Sequence, residues 1–125
     1  MLLDTCALLW LVQGSERLTR KTLRTIQSSP ILCVSAITGF EINQKRRAGK
    51  LPLPMETGEW LTEAVSEYGL TVISVDLEIC LKSSDLPPLH ADPCDRFIIA
   101  TALLKGWPVV TADSRFEQYG VKVLI

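Results

Sequence analysis

Short apolar segments alternate with helical segments along the whole sequence, and few folds accommodate that alternation. The apolar segments are three to six residues long, the length of buried strands. We predict strands at residues 1–3, 31–34, 70–75, 109–111 and 121–125. Strands separated by helices form a mostly parallel sheet with helices on both faces. The sequence therefore predicts an α/β fold, a three-layer α/β/α sandwich around a mostly parallel central sheet.

Residues typical of helix ends mark the segments between these strands. Ser35 is a favourable N-cap for the helix that follows it. Gly69 and Gly106 come directly after helical patterns, a position where glycine commonly ends a helix. We predict helices at residues 5–12, 16–27, 36–47, 55–68, 76–84 and 92–105, and a helical turn at 114–119. The chain of 125 residues shows no repeat and no linker of domain-boundary character, so we predict one domain, residues 1–125.

Charge and hydropathy exclude several classes of function. The formal net charge is −1, whereas a protein that binds nucleic acid by charge alone should be basic. A nucleic-acid partner would therefore need a local basic patch or metal ions. No apolar run reaches the roughly 18 residues of a membrane span, and the first apolar stretch lacks a basic leader and a cleavage site. We expect a cytoplasmic protein with no membrane partner.

The four cysteines do not have the spacing of a metal site. Cys6, Cys33, Cys80 and Cys94 are far apart, no pair is separated by two residues, and His90 is the only histidine. We interpret the cysteines as small apolar side chains rather than as zinc ligands or a redox pair.

Four acidic residues stand where a parallel sheet would bring them together. Asp4 ends the first predicted strand, Asp113 ends the fourth, Asp95 begins the helix before the fourth, and Glu41 lies in the helix after the second. Ligands of such sheets bind at the carboxyl ends of the strands, and carboxylates bind Mg²⁺ or Mn²⁺. Capping of helices explains such aspartates equally well. Glu41 is too far into its helix to cap it, although it could pair with Lys45 one turn later.

Three stretches of sequence resemble the PIN-domain family. Residues 2–10 (LLDTCALLW) look like its opening strand and aspartate, and residues 35–51 resemble its second motif, which supplies a glutamate from a helix. Residues 92–102 (DPCDRFIIATA) and 109–113 (VVTAD) are similar to the third and fourth motifs. The order and spacing hold from Leu2 to Ile125, and within the family the chain most resembles VapC-type toxins of toxin–antitoxin pairs.

The resemblance implies a PIN-like fold and an endoribonuclease that cleaves RNA with Mg²⁺ or Mn²⁺. It implies that Asp4, Glu41, Asp95 and Asp113 are both the metal ligands and the catalytic residues. It also implies a homodimer and a cognate antitoxin protein that covers the site. Cys6 and Cys94 depart from the residues common at their positions, and Gly39-Phe40 replaces a more usual tryptophan. None of these departures removes an acid.

Other residues near the four acids have candidate roles, and the sequence also allows other functions to be considered. Thr5 and Thr111 could support the acids, whereas Asp92 is predicted to be a cap. Arg46, Arg47 and Lys50 could contact phosphates or remain solvated, and the three tryptophans are predicted to lie in the core. The motifs of haloacid-dehalogenase phosphatases and of phospho-acceptor receivers are absent. The alternative function is a catalytically inactive PIN-like RNA-binding module, which usually lacks an acid.

Overall fold

A parallel sheet of five strands forms the centre of the structure, a computed structural model that describes residues 1–125. The strands are β1 (Leu2–Leu3), β2 (Leu32–Ser35), β3 (Leu70–Ile73), β4 (Val109–Val110) and β5 (Val123–Leu124). Their order across the sheet is β3-β2-β1-β4-β5, and every neighbouring pair is parallel. The predicted α/β fold with a parallel sheet is confirmed.

Six α-helices and one short 3-10 helix cover the sheet. They are α1 (Thr5–Gln13), α2 (Arg20–Ser28), α3 (Ala36–Arg47), α4 (Thr57–Tyr68), α5 (Leu77–Asp85), α6 (Pro93–Lys105) and the 3-10 helix Ser114–Tyr119. Ser35 caps α3 as predicted, with its hydroxyl accepting from the backbone N–H of Ile37. Gly106 follows α6 with a φ of 70°, a conformation that glycine adopts at low cost.

Alternation of side chains along the strands divides the core into two layers. Leu3, Val34 and Val110 face one cluster of buried side chains, which includes Leu8 of α1. Their strand neighbours point the opposite way, because successive side chains in a strand alternate. Leu2, Cys33 and Val109 accordingly belong to the second cluster, with Ile98 and Ile99 of α6. The two clusters make the three-layer arrangement.

Several predicted boundaries of helices and strands were wrong. Helix α2 begins at Arg20 rather than Glu16, because the Thr19 hydroxyl accepts from the backbone N–H of Thr22 and caps it there. Strand β3 stops at Ile73 instead of residue 75, and β5 contains only Val123–Leu124 instead of residues 121–125. In this structure no helix combines the length and the apolar character required to cross a membrane.

Candidate metal centre

A pocket at the carboxyl ends of β1 and β4 contains all four acids predicted for the site. Leu3 of β1 pairs with Val110 of β4, so the residues after these strands emerge at the same edge of the sheet. Helices α3 and α6 supply the remaining acidic side chains. The lining residues are Asp4, Thr5, Cys6, Trp10, Glu41, Lys45, Asp92, Asp95, Ala112 and Asp113.

Asp4 is a buried carboxylate at the start of α1. Its Oδ1 accepts a hydrogen bond of 2.7 Å from the backbone N–H of Ala7, so the residue also caps the helix. Burial raises the pKa of Asp4, and the negative charges of Glu41 and Asp113 raise it further; hydrogen bonds from Thr111 and Ala7 act in the opposite direction. The folded chain therefore places this acid where ionisation is unfavourable unless a cation is near.

Glu41 is buried on α3, with one oxygen paired and the other unsatisfied. Its Oε2 lies 3.2 Å from Nζ of Lys45, the pair that the spacing along the helix allowed. Its Oε1 is fully buried and has no hydrogen-bond partner. Buried polar atoms nearly always have a partner, so an orphaned carboxylate oxygen on a residue that lines an acidic pocket is a suitable ligand for a cation.

Asp95 has the most strongly raised carboxyl pKa of the site. Burial, followed by the charges of Asp92 and Glu41, raises the pKa of Asp95 to about 7, although His90 opposes this shift. Asp92 itself caps α6, as predicted, through a 2.9 Å hydrogen bond from the backbone N–H of Cys94, and it also lines the pocket. These carboxylates repel one another, and a bound cation would relieve that repulsion.

Asp113 differs from the other acids because both of its oxygens already have donors. Arg115 donates to Oδ1 from its backbone N–H and Nε, at 2.9 and 3.0 Å, and to Oδ2 from Nη2 at 2.8 Å. The ring of His90 lies 2.9 Å from the same Oδ2. The Arg115 side chain is the main cause that holds the pKa of Asp113 well below its usual range. Asp113 remains ionised and firmly held.

Two residues of this region had no role in the sequence interpretation. His90 is buried, and its Nε2 lies within 3.0 Å of both Asp95 and Asp113. Arg96 follows Asp95 but points away from the pocket. Its guanidinium donates to four backbone carbonyl oxygens at 2.8–3.2 Å, those of Ser83, Leu86, Pro87 and His90. In the sequence, only the position of His90 shortly before Asp92 and Asp95 could have suggested a role for it. No sequence pattern predicts the partners of Arg96.

The supporting residues proposed from sequence are placed unevenly. The hydroxyl oxygen of Thr111 accepts from the backbone N–H of Asp113 at 3.0 Å, and Thr111 also hydrogen-bonds Asp4, whereas the Thr5 hydroxyl contacts Thr38 and not an acid. Arg46 pairs with Glu56 at 3.1 Å, while Arg47 and Lys50 are exposed.

The tryptophans follow their predicted core placement only in part, and the cysteines differ in burial. Trp60 is buried in the first core cluster. Trp107 is partly buried and packs against the second cluster. Trp10 also packs against the core but lines the acidic pocket. Of the cysteines, which the sequence indicates to be small apolar side chains, Cys33 is buried, Cys80 and Cys94 are partly buried, and Cys6 is exposed at that pocket.

Comparison with known proteins identifies the fold family. The family model described as PIN domain matches residues 1–122. The chain belongs to the PIN-domain family. This PIN domain is 30% identical over 122 residues to a Mycobacterium tuberculosis protein named Ribonuclease VapC22, covering 95% of this chain and 91% of the relative.

Solved structures share the fold at lower sequence identity. A VapBC2 complex of Rickettsia felis, bound to a DNA fragment from its promoter, has a chain with a TM-score of 0.71 at 14% identity, covering 99% of this chain and 98% of that one. A chain of DNA-bound VapBC from Salmonella typhimurium gives 0.69 at 21% identity, covering 98% and 95%. A toxin–antitoxin complex from Klebsiella pneumoniae gives 0.67 at 20%, covering 99% and 95%.

Proposed function

We propose that this PIN domain is a metal-dependent endoribonuclease and the toxin of a type II toxin–antitoxin pair. The observation that carries the proposal is the acidic pocket, in which the buried Oε1 of Glu41 lacks a partner. The relative from Mycobacterium tuberculosis is named a ribonuclease, which supports the same activity. All four acids are present, so nothing in the site favours the alternative of an inactive RNA-binding module.

The donor atoms of the pocket suit Mg²⁺ or Mn²⁺. Oxygen ligands from carboxylates are preferred by both ions, and Asp4, Glu41, Asp95 and Asp113 would hold the metal. When bound, the ion would activate a water and stabilise charge on the leaving oxygen of a phosphodiester.

The side chains of the pocket would have different roles in binding the metal, the water and the phosphate. Asp4 and Asp95 both line the pocket, and they would be the principal ligands. Asp113, already bonded by Arg115, would hold the same ion or a second one. Glu41 would be a ligand or would orient the attacking water. Lys45 is the only cationic side chain that lines the pocket, so it would balance the charge of the scissile phosphate.

Cleavage of RNA by the purified protein tests the proposed activity. With Mg²⁺ or Mn²⁺ and an RNA that is labelled at its 5′ end and chemically blocked at its 3′ end, we expect internal cuts on a sequencing gel and none in EDTA. Asp85→Asn, which removes an exposed acid at the end of α5, should cut as the wild type does. Cleavage that persists in EDTA, or RNA binding without cleavage under every metal condition, would contradict the proposal.

The proposed antitoxin would bind both an apolar and an acidic surface of this chain. Next to the sheet, Val34, Gly39 and Leu61 help to line an apolar groove, and Phe40 nearby is 54% exposed. Helices of a partner could cover this surface. Arginine pairs well with carboxylates and keeps its charge, so we propose that the antitoxin inserts an arginine or lysine among the four acids.

Competition with metal tests this mode of inhibition. Mn²⁺ should weaken the binding of an antitoxin peptide to the wild type, because both cations need the same carboxylates. Asp95→Asn should bind the peptide less tightly in the absence of metal. Titration calorimetry with and without Mn²⁺ measures both effects. Equal affinities in all four titrations would place inhibition elsewhere on the surface.

Two further properties remain proposals. On α5, Leu77 and Leu81 lie one helical turn apart and are 73% and 56% exposed. Large apolar side chains exposed together commonly mark an interaction surface, which suits the proposed homodimer. We also propose a cytoplasmic location, where the RNA substrate is found.

A further inference from the structure

His90 lies between two acids that belong to different elements. Its Nε2 is 3.0 Å from Oδ2 of Asp95, on α6, and 2.9 Å from Oδ2 of Asp113, after β4. The ring is buried, and its edge packs against Phe116 with the two ring planes at 77°. Among the recorded side-chain hydrogen bonds and ion pairs, only those of His90 connect these two carboxylates.

The other ring nitrogen reveals which one carries the proton. Nδ1 accepts a hydrogen bond of 3.1 Å from the backbone N–H of Asp92. A nitrogen that accepts a hydrogen bond has no proton of its own, and an imidazole always retains at least one. The proton must therefore be on Nε2, which donates to Oδ2 of Asp113 at 2.9 Å.

This arrangement is incompatible with His90 as a metal ligand. His90, Asp95 and Asp113 offer three possible ligand atoms within 4.8 Å of one another, so the cluster resembles a metal site. A metal ion on Nε2 would move the proton to Nδ1, since a ligating histidine uses the lone pair of one nitrogen and donates from the other. Nδ1 would then face the N–H of Asp92, and two donors would oppose each other.

The main chain around His90 is held from two further sides. The hydroxyl of Tyr119 accepts from the backbone N–H of His90 at 2.8 Å and donates to the carbonyl of Pro87 at 2.7 Å. Arg96 donates to the carbonyl of His90 at 3.2 Å. The backbone of His90 is therefore held by groups outside the acidic pocket.

We propose that His90 is a positioning residue, whose Nε2–H donates to Oδ2 of Asp113 beside Oδ2 of Asp95 and leaves the metal to the carboxylates. This inference rests on the proposed function. Oδ2 of Asp95 lies on the side of the histidine, 3.0 Å from Nε2, and no protein donor contacts Oδ1 of Asp95. That oxygen is left for the cation.

Substitutions of His90 that place a hydrogen-bond donor at different distances from the backbone test its role. A glutamine amide can reach the position of Nε2, an asparagine amide ends near Nδ1, and phenylalanine keeps the ring without a donor. We expect His90→Phe and His90→Asn to lower the rate of RNA cleavage and the affinity for Mn²⁺ by about 10-fold or more. His90→Gln should restore both to within about threefold of the wild type. Equal losses in the His90→Gln and His90→Asn variants would overturn the proposal. This comparison does not depend on whether His90→Phe folds.

Nitrogen NMR of the single histidine provides a test that needs no activity. In protein labelled with ¹⁵N-histidine and purified without a histidine tag, His90 gives the only imidazole signals. We expect a proton on Nε2 and none on Nδ1, both in metal-free protein and after addition of Mg²⁺. A proton on Nδ1 in either state would overturn the proposal. If the wild type cuts no RNA but keeps this proton pattern, the proposed function fails and the placement of His90 stands.

Discussion

The Asp95→Asn variant is expected to lose RNA cleavage and, without metal, to melt a few degrees above the wild type. Asparagine has nearly the same size but lacks the charge needed to hold a divalent cation. In the folded wild type, burial and neighbouring acids raise the pKa of Asp95 to about 7, so its ionised form destabilises the fold above that pH. Removing the charge should therefore stabilise the metal-free protein at pH 8, with the gain shrinking as the pH falls through 7.

Two measurements on the same preparations check this expectation. A gel assay with labelled RNA reports cleavage, and a thermal melt in EDTA at pH 8 and pH 6 reports stability. Asp85→Asn is the matched control, since it removes one exposed acid outside the pocket. Near wild-type cleavage by Asp95→Asn would mean that the site is misplaced. A lower melting temperature at pH 8 would mean that the carboxylate serves the core.

Saturating Mg²⁺ or Mn²⁺ is expected to stabilise the wild type by about 2.7 kcal/mol at a hundredfold excess over Kd, a rise in melting temperature on the order of 10 °C. An ion that binds only the folded state contributes this energy by mass action. In the Asp4→Asn and Glu41→Gln variants the shift should nearly vanish. Asparagine can still cap α1 at position 4, so the first variant should fold.

The Glu41→Gln variant makes the metal test sharper. Its control is Glu63→Gln, an exposed glutamate on α4, which should show the full wild-type shift. Equal shifts in the Glu41 and Glu63 variants would remove Glu41 from the ligand set. A requirement for Zn²⁺ that disappears when the cysteines are replaced would contradict the carboxylate site altogether.

The fold was predictable because its signals are local and repeated. Alternation of apolar runs with helices gave the parallel sheet, and Ser35 and Asp92 marked the starts of α3 and α6 correctly. The start of α2 was harder to predict, because Ser15 and Thr19 are both acceptable caps and only contacts in the folded chain distinguish them.

The acids of the pocket were visible in the sequence, but their partners were not. A parallel sheet brings the residues after its strands to one edge, which is why Asp4 and Asp113 could be expected near each other. The contacts of His90 depend on how the turn before α6 folds back, and Arg96 fixes that turn through backbone carbonyls. Backbone acceptors are the same in every residue, so no pattern of side chains encodes this choice.

The order of the strands has a consequence for synthesis on the ribosome. The central strand β1 is made first, yet one of its two neighbours, β4, is made after five helices have followed α1. Such pairing of distant segments forms late. Until Val109–Val110 has paired with β1, a nascent chain has neither a complete sheet nor Asp113 beside Asp4. The growing polypeptide therefore cannot assemble the acidic pocket before its fourth strand has been synthesised.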